Sequence, residues 1–278
     1  MKSLSQGGKV ILVGAGSGDP ELITVKGMRF LQQADVILTD RLVSPEIINS
    51  FASPTAKVIF VGKQCRRGTS TPQATINELM VLYAQDEKLV VRLKGGDVSI
   101  FSNILDELET LVQHGIPYEI VPGVTAALGA AAYAGMPLTA RGYSTAVRFL
   151  TAYKSDVVSE NYWKELAQTE DTLVFYMSSE TLANVVGQLT KNNIAPDKLL
   201  AVVEQATTPF QRVYTSSLYD YENKLSEQKF LSPTLVVIGR VVALQAQFQW
   251  LQASPEPVEY FRSEVAVNNE NEQLALTA

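Results

Sequence analysis

The chain has 278 residues, 46% hydrophobic and 19% charged, the profile of an ordinary globular protein with room for two cores. Its net charge is −6, but five Glu and one Arg lie between Ser254 and Ala278, so most of that charge belongs to the C-terminal segment. A nearly neutral body excludes the basic footprint of a nucleic-acid binder, no apolar run reaches the roughly 20 residues of a membrane span, and the one cysteine, Cys65, excludes an internal disulfide.

The N-terminus, Met1 to Gly8, has no apolar signal core, and together with the single cysteine this fits a cytoplasmic protein. The run Val10-Ile11-Leu12-Val13 reads as a buried strand that breaks into Gly14-Ala15-Gly16-Ser17-Gly18. Asp19 suits an N-cap and Pro20 a first helical position, with Leu22, Val25, Met28 and Leu31 recurring along one face of the expected helix. The loop is not a dinucleotide fingerprint, although Asp40 stands where a ribose-binding acid would. Its third required glycine is replaced by Asp19, whose charge repels a pyrophosphate.

Strands are predicted at 36–39 and 58–61, a helix over 72–84, and a further strand at 89–93. That strand runs into Arg92-Leu93-Lys94-Gly95-Gly96-Asp97. At the carboxyl edge of an open α/β sheet such a turn is where small ligands sit. Paired glycines let the backbone approach a ligand, and Asp97 can accept hydrogen bonds from it or simply cap the next helix. A helix over 104–112, a strand at 118–121 and the Pro122-Gly123 turn follow. An alanine-rich helix over 126–134 is then expected to pack very close to neighbouring backbone or to a ligand.

Gly135-Met136-Pro137-Leu138 marks a domain boundary, which divides the chain into 1–138 and 139–253. Strands are predicted in the second part at 147–151, 172–176, 199–203, 212–215 and 234–238, with hairpin-like spacing. The fold class is therefore α/β in two domains, a mainly parallel sheet followed by a mixed one. Residues 254–278, acidic and rich in Asn and Glu, read as a disordered tail.

Scarcity narrows the chemistry. His114 is the only histidine and lies in Gln113-His114-Gly115, where it reads as a cap at a helix end, so Ser-His-Asp and Cys-His catalysis lack a base. One Cys and one His cannot build a zinc site, and no EF-hand pattern is present, so no metal is expected. Acid–base work falls to Asp, Glu, Lys, Arg or Tyr, or the reaction needs little of it.

Several motifs in order carry a resemblance that covers the chain from Lys9 to about Trp250. Val13-Gly14-Ala15-Gly16-Ser17-Gly18-Asp19-Pro20 with Asp40-Arg41-Leu42-Val43-Ser44 resembles the opening of the tetrapyrrole methylases, above all the uroporphyrinogen-III C-methyltransferases. The match continues through Val61-Gly62-Lys63, Arg92 to Asp97, Val121-Pro122-Gly123-Val124-Thr125-Ala126, Phe175-Tyr176-Met177 and Thr207-Thr208-Pro209-Phe210-Gln211-Arg212.

What the resemblance implies is a two-domain homodimer of the tetrapyrrole-methylase fold that uses S-adenosyl-L-methionine, leaving S-adenosyl-L-homocysteine. By motif position Ser17, Gly95, Asp97, Ile100, Thr125, Ala126, Met177 and Ala206 are cofactor contacts. Asp40, Arg41 and Lys63 are substrate-side residues, Asp40 accepting or relaying a proton. The implied reaction methylates uroporphyrinogen III at C2 and C7 to give precorrin-2, for sirohaem or cobalamin.

The chain also departs from the family. Gly-Gly-Asp is followed by Val98 where the family has proline, Asn103 stands where it has a substrate-side arginine, and Ala140 where it has histidine. A sister methylase with a different precorrin substrate, or an S-adenosylmethionine-binding paralogue impaired in catalysis, stays open on these grounds. An anionic macrocycle calls for cations, and Arg41, Lys63, Arg66, Arg67, Arg141 and Arg148 are candidates, with Arg66-Arg67 in a basic flap at 64–71.

Overall fold

The apolar runs of the first half become a wholly parallel sheet. β1 (Lys9–Gly14), β2 (Val36–Thr39), β3 (Lys57–Phe60), β4 (Leu89–Lys94) and β5 (Tyr118–Val121) lie in the order β3-β2-β4-β1-β5. The computed structural model describes residues 8–62, 71–152, 159–252, 254–256 and 258–261. Val10 to Val13 and Val90 to Leu93 are buried on both faces, as a parallel sheet requires. α1 (Val25–Gln33) and α2 (Pro45–Phe51) cover one face, where Leu31 and Ile47 pack with Ile11, Val13, Ile37 and Leu93. α3 (Gln73–Gln85) and α4 (Ile104–Gln113) cover the other, with Ile76, Met80 and Leu111 against Val10, Leu12, Leu38 and Val90.

α5 (Ala126–Tyr133) precedes the predicted boundary in sequence, yet it packs on the second sheet. Its Ala127, Ala130 and Ala131 meet Val174, Ala201, Val203 and Val237. Small side chains bring this helix close to its neighbours, as expected from its composition. At Gly129 a Cβ would run into Ser17 Oγ of the first glycine loop.

The second sheet is mixed, also as expected. β6 (Val147–Thr151), β7 (Thr172–Tyr176), β8 (Leu199–Glu204), β9 (Arg212–Ser217) and β10 (Thr234–Gly239) run in the order β6-β7-β10-β8-β9. β6 and β7 pair parallel and the remaining pairs are antiparallel. α6 (Glu160–Gln168) and α7 (Leu182–Lys191) cover its far face with Trp163, Leu166, Val185 and Leu189. No helix among the described residues is long and apolar enough to cross a membrane.

The structure corrects three expectations. Asp19 and Pro20 open only a short 3-10 turn, Pro20–Leu22, and the chain is extended at Ile23 before Thr24 caps α1 by accepting from the Gly27 amide at 3.1 Å. Two competing caps five residues apart split the expected helix, and Val25 is left exposed. α2 was not expected, because its seven residues are too short to show a period. The C-terminal segment is docked at Ser254, which donates to the Pro209 carbonyl, and again over Val258 to Phe261, with the Phe261 side chain buried. Aromatic residues there outweigh the acidic composition, and residues 262–278 lie outside the described set.

Candidate active site at the seam of the two halves

Three loops interlock at the carboxyl edge of the first sheet. The Gly16 and Gly96 amides donate to each other's carbonyls at 3.1 and 2.7 Å, which joins the turns that follow β1 and β4. Gly96 has φ +70°, and the nearest atom to a Cβ placed there would be the Ala126 amide nitrogen at 3.8 Å. The backbone of Gly96 thus lies against that of Thr125-Ala126, with room for about a methyl group between them.

Asp97 holds this turn together. Oδ1 accepts from the Ser99 amide at 2.8 Å and from the Ser99 hydroxyl, and Oδ2 accepts from the Gly123 amide at 2.9 Å. Burial pushes the Asp97 carboxyl up, but hydrogen bonds from the Ser99 hydroxyl and from the Gly123, Ser99 and Val98 backbone outweigh it and hold the group below the usual carboxylate range. Asp97 is therefore a buried organiser of the loop.

The second half closes on these loops through side chains. Tyr176, at the end of β7, shares a hydrogen bond with Thr125 Oγ1 at 2.7 Å and accepts from the Ala127 amide at 3.1 Å, which pins the start of α5. The next residue, Met177, is left-handed (φ +53°) and about half exposed. Thr207, also left-handed, places Oγ1 at 3.2 Å from Ser17 Oγ and accepts from the Asp19 amide at 3.0 Å. Tyr133 donates to Asp19 Oδ2 at 2.5 Å, and burial followed by that carboxylate pushes its hydroxyl pKa up to about 12.

Next to this seam lies a buried ionic cluster. Arg92 on β4 donates Nε to Glu107 Oε1 at 2.9 Å and Nη2 to Asp40 Oδ1 at 2.6 Å. Lys94 donates to both oxygens of Glu107 at 2.8 Å. Two cations balance two carboxylates, so no net charge is buried. Burial raises Asp40 above the usual carboxylate range, and Arg92 reverses only part of that; burial and the Arg92 charge lower Lys94. The Asp40 side chain keeps about 27% of its surface exposed, and among the described residues its Oδ2 accepts no hydrogen bond.

Ser17 and Thr207, Asp97 and Gly123, and Thr125 and Tyr176 thus meet at this seam, with Gly95 and Ile100 on the stretch that holds Asp97, Ala126 next to Thr125, Met177 next to Tyr176 and Ala206 next to Thr207. Asp40 and Arg41 stand on the neighbouring loop after β2, where the Leu42 carbonyl would lie 2.8 Å from a Cβ at Gly95. Arg41 has no ion-pair partner among the described residues. Lys63, Arg66 and Arg67 lie outside them. Arg148 is committed elsewhere, to Asp171 and Glu165 at 2.5 and 2.6 Å, and is removed from the cations available to a ligand. His114 caps α4, with Nδ1 2.9 Å from the Thr110 carbonyl. The motifs gave no role to Glu107, Tyr176 or Gln205, although Tyr176 lies within the matched run Phe175-Tyr176-Met177, a signal that could have found it.

A family model described as Tetrapyrrole (Corrin/Porphyrin) Methylases matches residues 9–222. A curated sirohaem synthase of Vesicomyosocius okutanii subsp. Calyptogena okutanii (strain HA) is 43% identical over 251 residues, 90% of this chain and 53% of that protein. The chain spans about half the length of the curated relatives it matches. An X-ray structure of a cobalt precorrin-4 methyltransferase is 29% identical with a TM-score of 0.74, covering 84% of this chain and 95% of the other. Uroporphyrin-III C-methyl transferase from Thermus thermophilus, complexed with S-adenyl homocysteine, is 32% identical with a TM-score of 0.71, covering 85% and 100%.

Proposed function

The chain belongs to the tetrapyrrole methylase family, and from that premise we propose that it methylates uroporphyrinogen III at C2 and then C7 with S-adenosyl-L-methionine as donor, giving precorrin-2. One observation carries the reading. The Gly96 turn, whose backbone lies against Thr125-Ala126, stands next to the loop that presents Asp40, a carboxylate with one oxygen engaged by Arg92 and the other accepting no hydrogen bond among the described residues.

The residues present fit the cofactor. Asp97 fixes the shape of the Gly96 turn, and the cations beside it are neutralised by Asp40 and Glu107, so a sulfonium meets no uncompensated positive charge. When bound, S-adenosyl-L-methionine supplies a methyl group electrophilic enough for an electron-rich pyrrole carbon to attack without a protein nucleophile. That suits a chain with one histidine and one cysteine. Ser17, Gly95, Asp97, Ile100, Thr125, Ala126, Met177 and Ala206 hold the cofactor, and in-line positioning is their main contribution.

Asp40 takes the proton that leaves the alkylated macrocycle. Its raised pKa brings the group closer to the working pH and so improves it as a base, while Arg92 keeps the carboxylate oriented. Arg41 and Lys63 receive substrate carboxylates, Arg41 bidentately. The protein works as a homodimer. Asn103 and Ala140, in place of the family's arginine and histidine, favour a second reading in which the macrocycle is a different precorrin.

Anaerobic incubation with S-adenosyl-L-methionine and freshly reduced uroporphyrinogen III, followed by mass spectrometry, tests the proposal. Two added methyl groups support it. Binding of S-adenosylhomocysteine without methylation of uroporphyrinogen overturns it, and methylation of a later precorrin under the same conditions selects the second reading.

A further inference from the structure

The two loops that the proposed function assigns to substrate and cofactor are bound to each other by a segment outside the family match, which ends at residue 222. Gln205 is the pivot. It is wholly buried, left-handed at φ +46°, and sits between the end of β8 and Ala206-Thr207. A side chain larger than Asn or Gly is seldom held in that conformation without strong constraints. Here its amide supplies them. Nε2 donates to the Val258 carbonyl at 2.8 Å and Oε1 accepts from the Tyr260 amide at 2.6 Å. A carbonyl at one residue and an amide two residues on is the pattern a neighbouring strand would present, so one side chain pairs with the segment as a strand edge does.

Tyr260 extends the link to the other half. Its hydroxyl lies 2.7 Å from Ser44 Oγ, and Ser44 is the buried N-cap position of α2, directly after Asp40-Arg41-Leu42-Val43. The Tyr260 ring packs against Phe210 at 6.1 Å between centroids and against the buried Phe261 at 5.1 Å. Phe210 belongs to the same loop as Thr207, whose hydroxyl meets Ser17 and Asp19. The chain of contacts therefore runs from the loop of Asp40 through Ser44, Tyr260 and Gln205 to the loop of Ala206.

We propose that Gln205 and Tyr260 are positioning residues, and that the segment Val258 to Phe261 is a tie that sets the spacing between the loop presenting Asp40 and Arg41 and the loop presenting Ala206 and Thr207. The proposal rests on the functional reading above. Each end of the tie governs a different ligand: the Ser44–Tyr260 bond governs the macrocycle side, and the Gln205 amide governs the cofactor side.

The full chain with Tyr260→Phe loses one hydroxyl and keeps the ring packing. The expected result is a KM for uroporphyrinogen III raised about 5- to 10-fold, the worth of roughly one hydrogen bond, with affinity for S-adenosylhomocysteine by calorimetry at the wild-type value. Ser44→Ala should reproduce this, and the double variant should be no worse than either single. Gln205→Leu should weaken S-adenosylhomocysteine binding several-fold, a readout that does not depend on which macrocycle is methylated. Should the wild type fail to methylate uroporphyrinogen III, the functional reading falls while the Gln205 titration still decides the tie. Variants that lower the thermal midpoint and leave both KM and cofactor affinity unchanged, or Tyr260 and Ser44 effects that simply add, overturn the proposal.

Discussion

Arg92 reaches from the centre of the first sheet to Asp40 at its edge, with Nη2 2.6 Å from Oδ1. The same guanidinium holds Glu107, so Asp40 is oriented by a group that cannot move away. Because burial raises Asp40 and the Arg92 charge opposes the rise, the acid limb of kcat/KM should lie above the ordinary carboxylate value of about 3.9. Arg92→Gln removes the opposing charge and should move that limb to still higher pH. Asp40→Asn should remove the limb and lower turnover by about 10²- to 10⁴-fold. A pH–rate series on the three proteins checks this, and an unmoved limb in Arg92→Gln would release Arg92 from its role.

Asp97 and Asp40 should affect stability in opposite senses. Asp97 has its pKa depressed in the fold, so its contribution is complete above the unfolded value and is lost as pH falls through the folded one. Asp40 has a raised pKa, so the folded state holds its proton more tightly, and stability falls as pH rises from the unfolded value through the folded one. Asp97→Ala leaves the Gly123 and Ser99 amides without their acceptor and should cost about 1–3 kcal/mol, as well as weakening the cofactor. Thermal melts across pH 3 to 7 compare the two. A wild-type midpoint with lost cofactor affinity in Asp97→Ala would make it a ligand contact alone.

Removing 254–278 should lower the thermal midpoint, since it strips the buried Phe261 and exposes Phe210. Burial of one such ring is worth about 1.5–3 kcal/mol. Because Arg212 also donates to the Pro255 carbonyl at 3.1 Å, the loss should reach β9 and appear as faster amide exchange there. A midpoint identical to that of the full chain would return the segment to the status its acidic composition implied.

The central strands β1, β4, β8 and β10 were legible because each is an apolar, β-branched run, and burial on both faces left little polar interruption. Arg92 and Lys94 interrupt β4, and nothing local says that they are buried. Their partner Glu107 arrives from α4, and only the packing of that helix over the sheet brings the charges together. The loops that meet at the seam were legible through motif order, since Gly14 to Asp19, Gly95 to Asp97 and Pro122 to Ala126 each end a strand of the same sheet. The tie was not, because Gln205 and Tyr260 are 55 residues apart in a pairing that no periodicity encodes. Composition then misled: an acidic tail reads as disordered, whereas two aromatic rings with partners on both halves are enough to dock its beginning.

Asn103 offers the sharpest test of substrate. It stands where the family carries an arginine, at φ +58° and ψ +36°, and donates Nδ2 to Asp106 Oδ2 at 2.8 Å. The left-handed position suits asparagine, and an arginine there pays about 1–2 kcal/mol in backbone strain. Asn103→Arg should therefore lower the thermal midpoint slightly, by about 2–4 °C per kcal/mol in a chain of this size. In return it places a permanent cation before an octacarboxylate, so the KM for uroporphyrinogen III should fall while S-adenosylhomocysteine affinity stays unchanged. If the arginine also assists deprotonation, the turnover number should rise as well. Steady-state kinetics with both substrates varied separates the two effects. Loss of activity in Asn103→Arg toward a macrocycle that the wild type methylates well would show that this pocket is built around a neutral side chain, and uroporphyrinogen III would then be the wrong substrate.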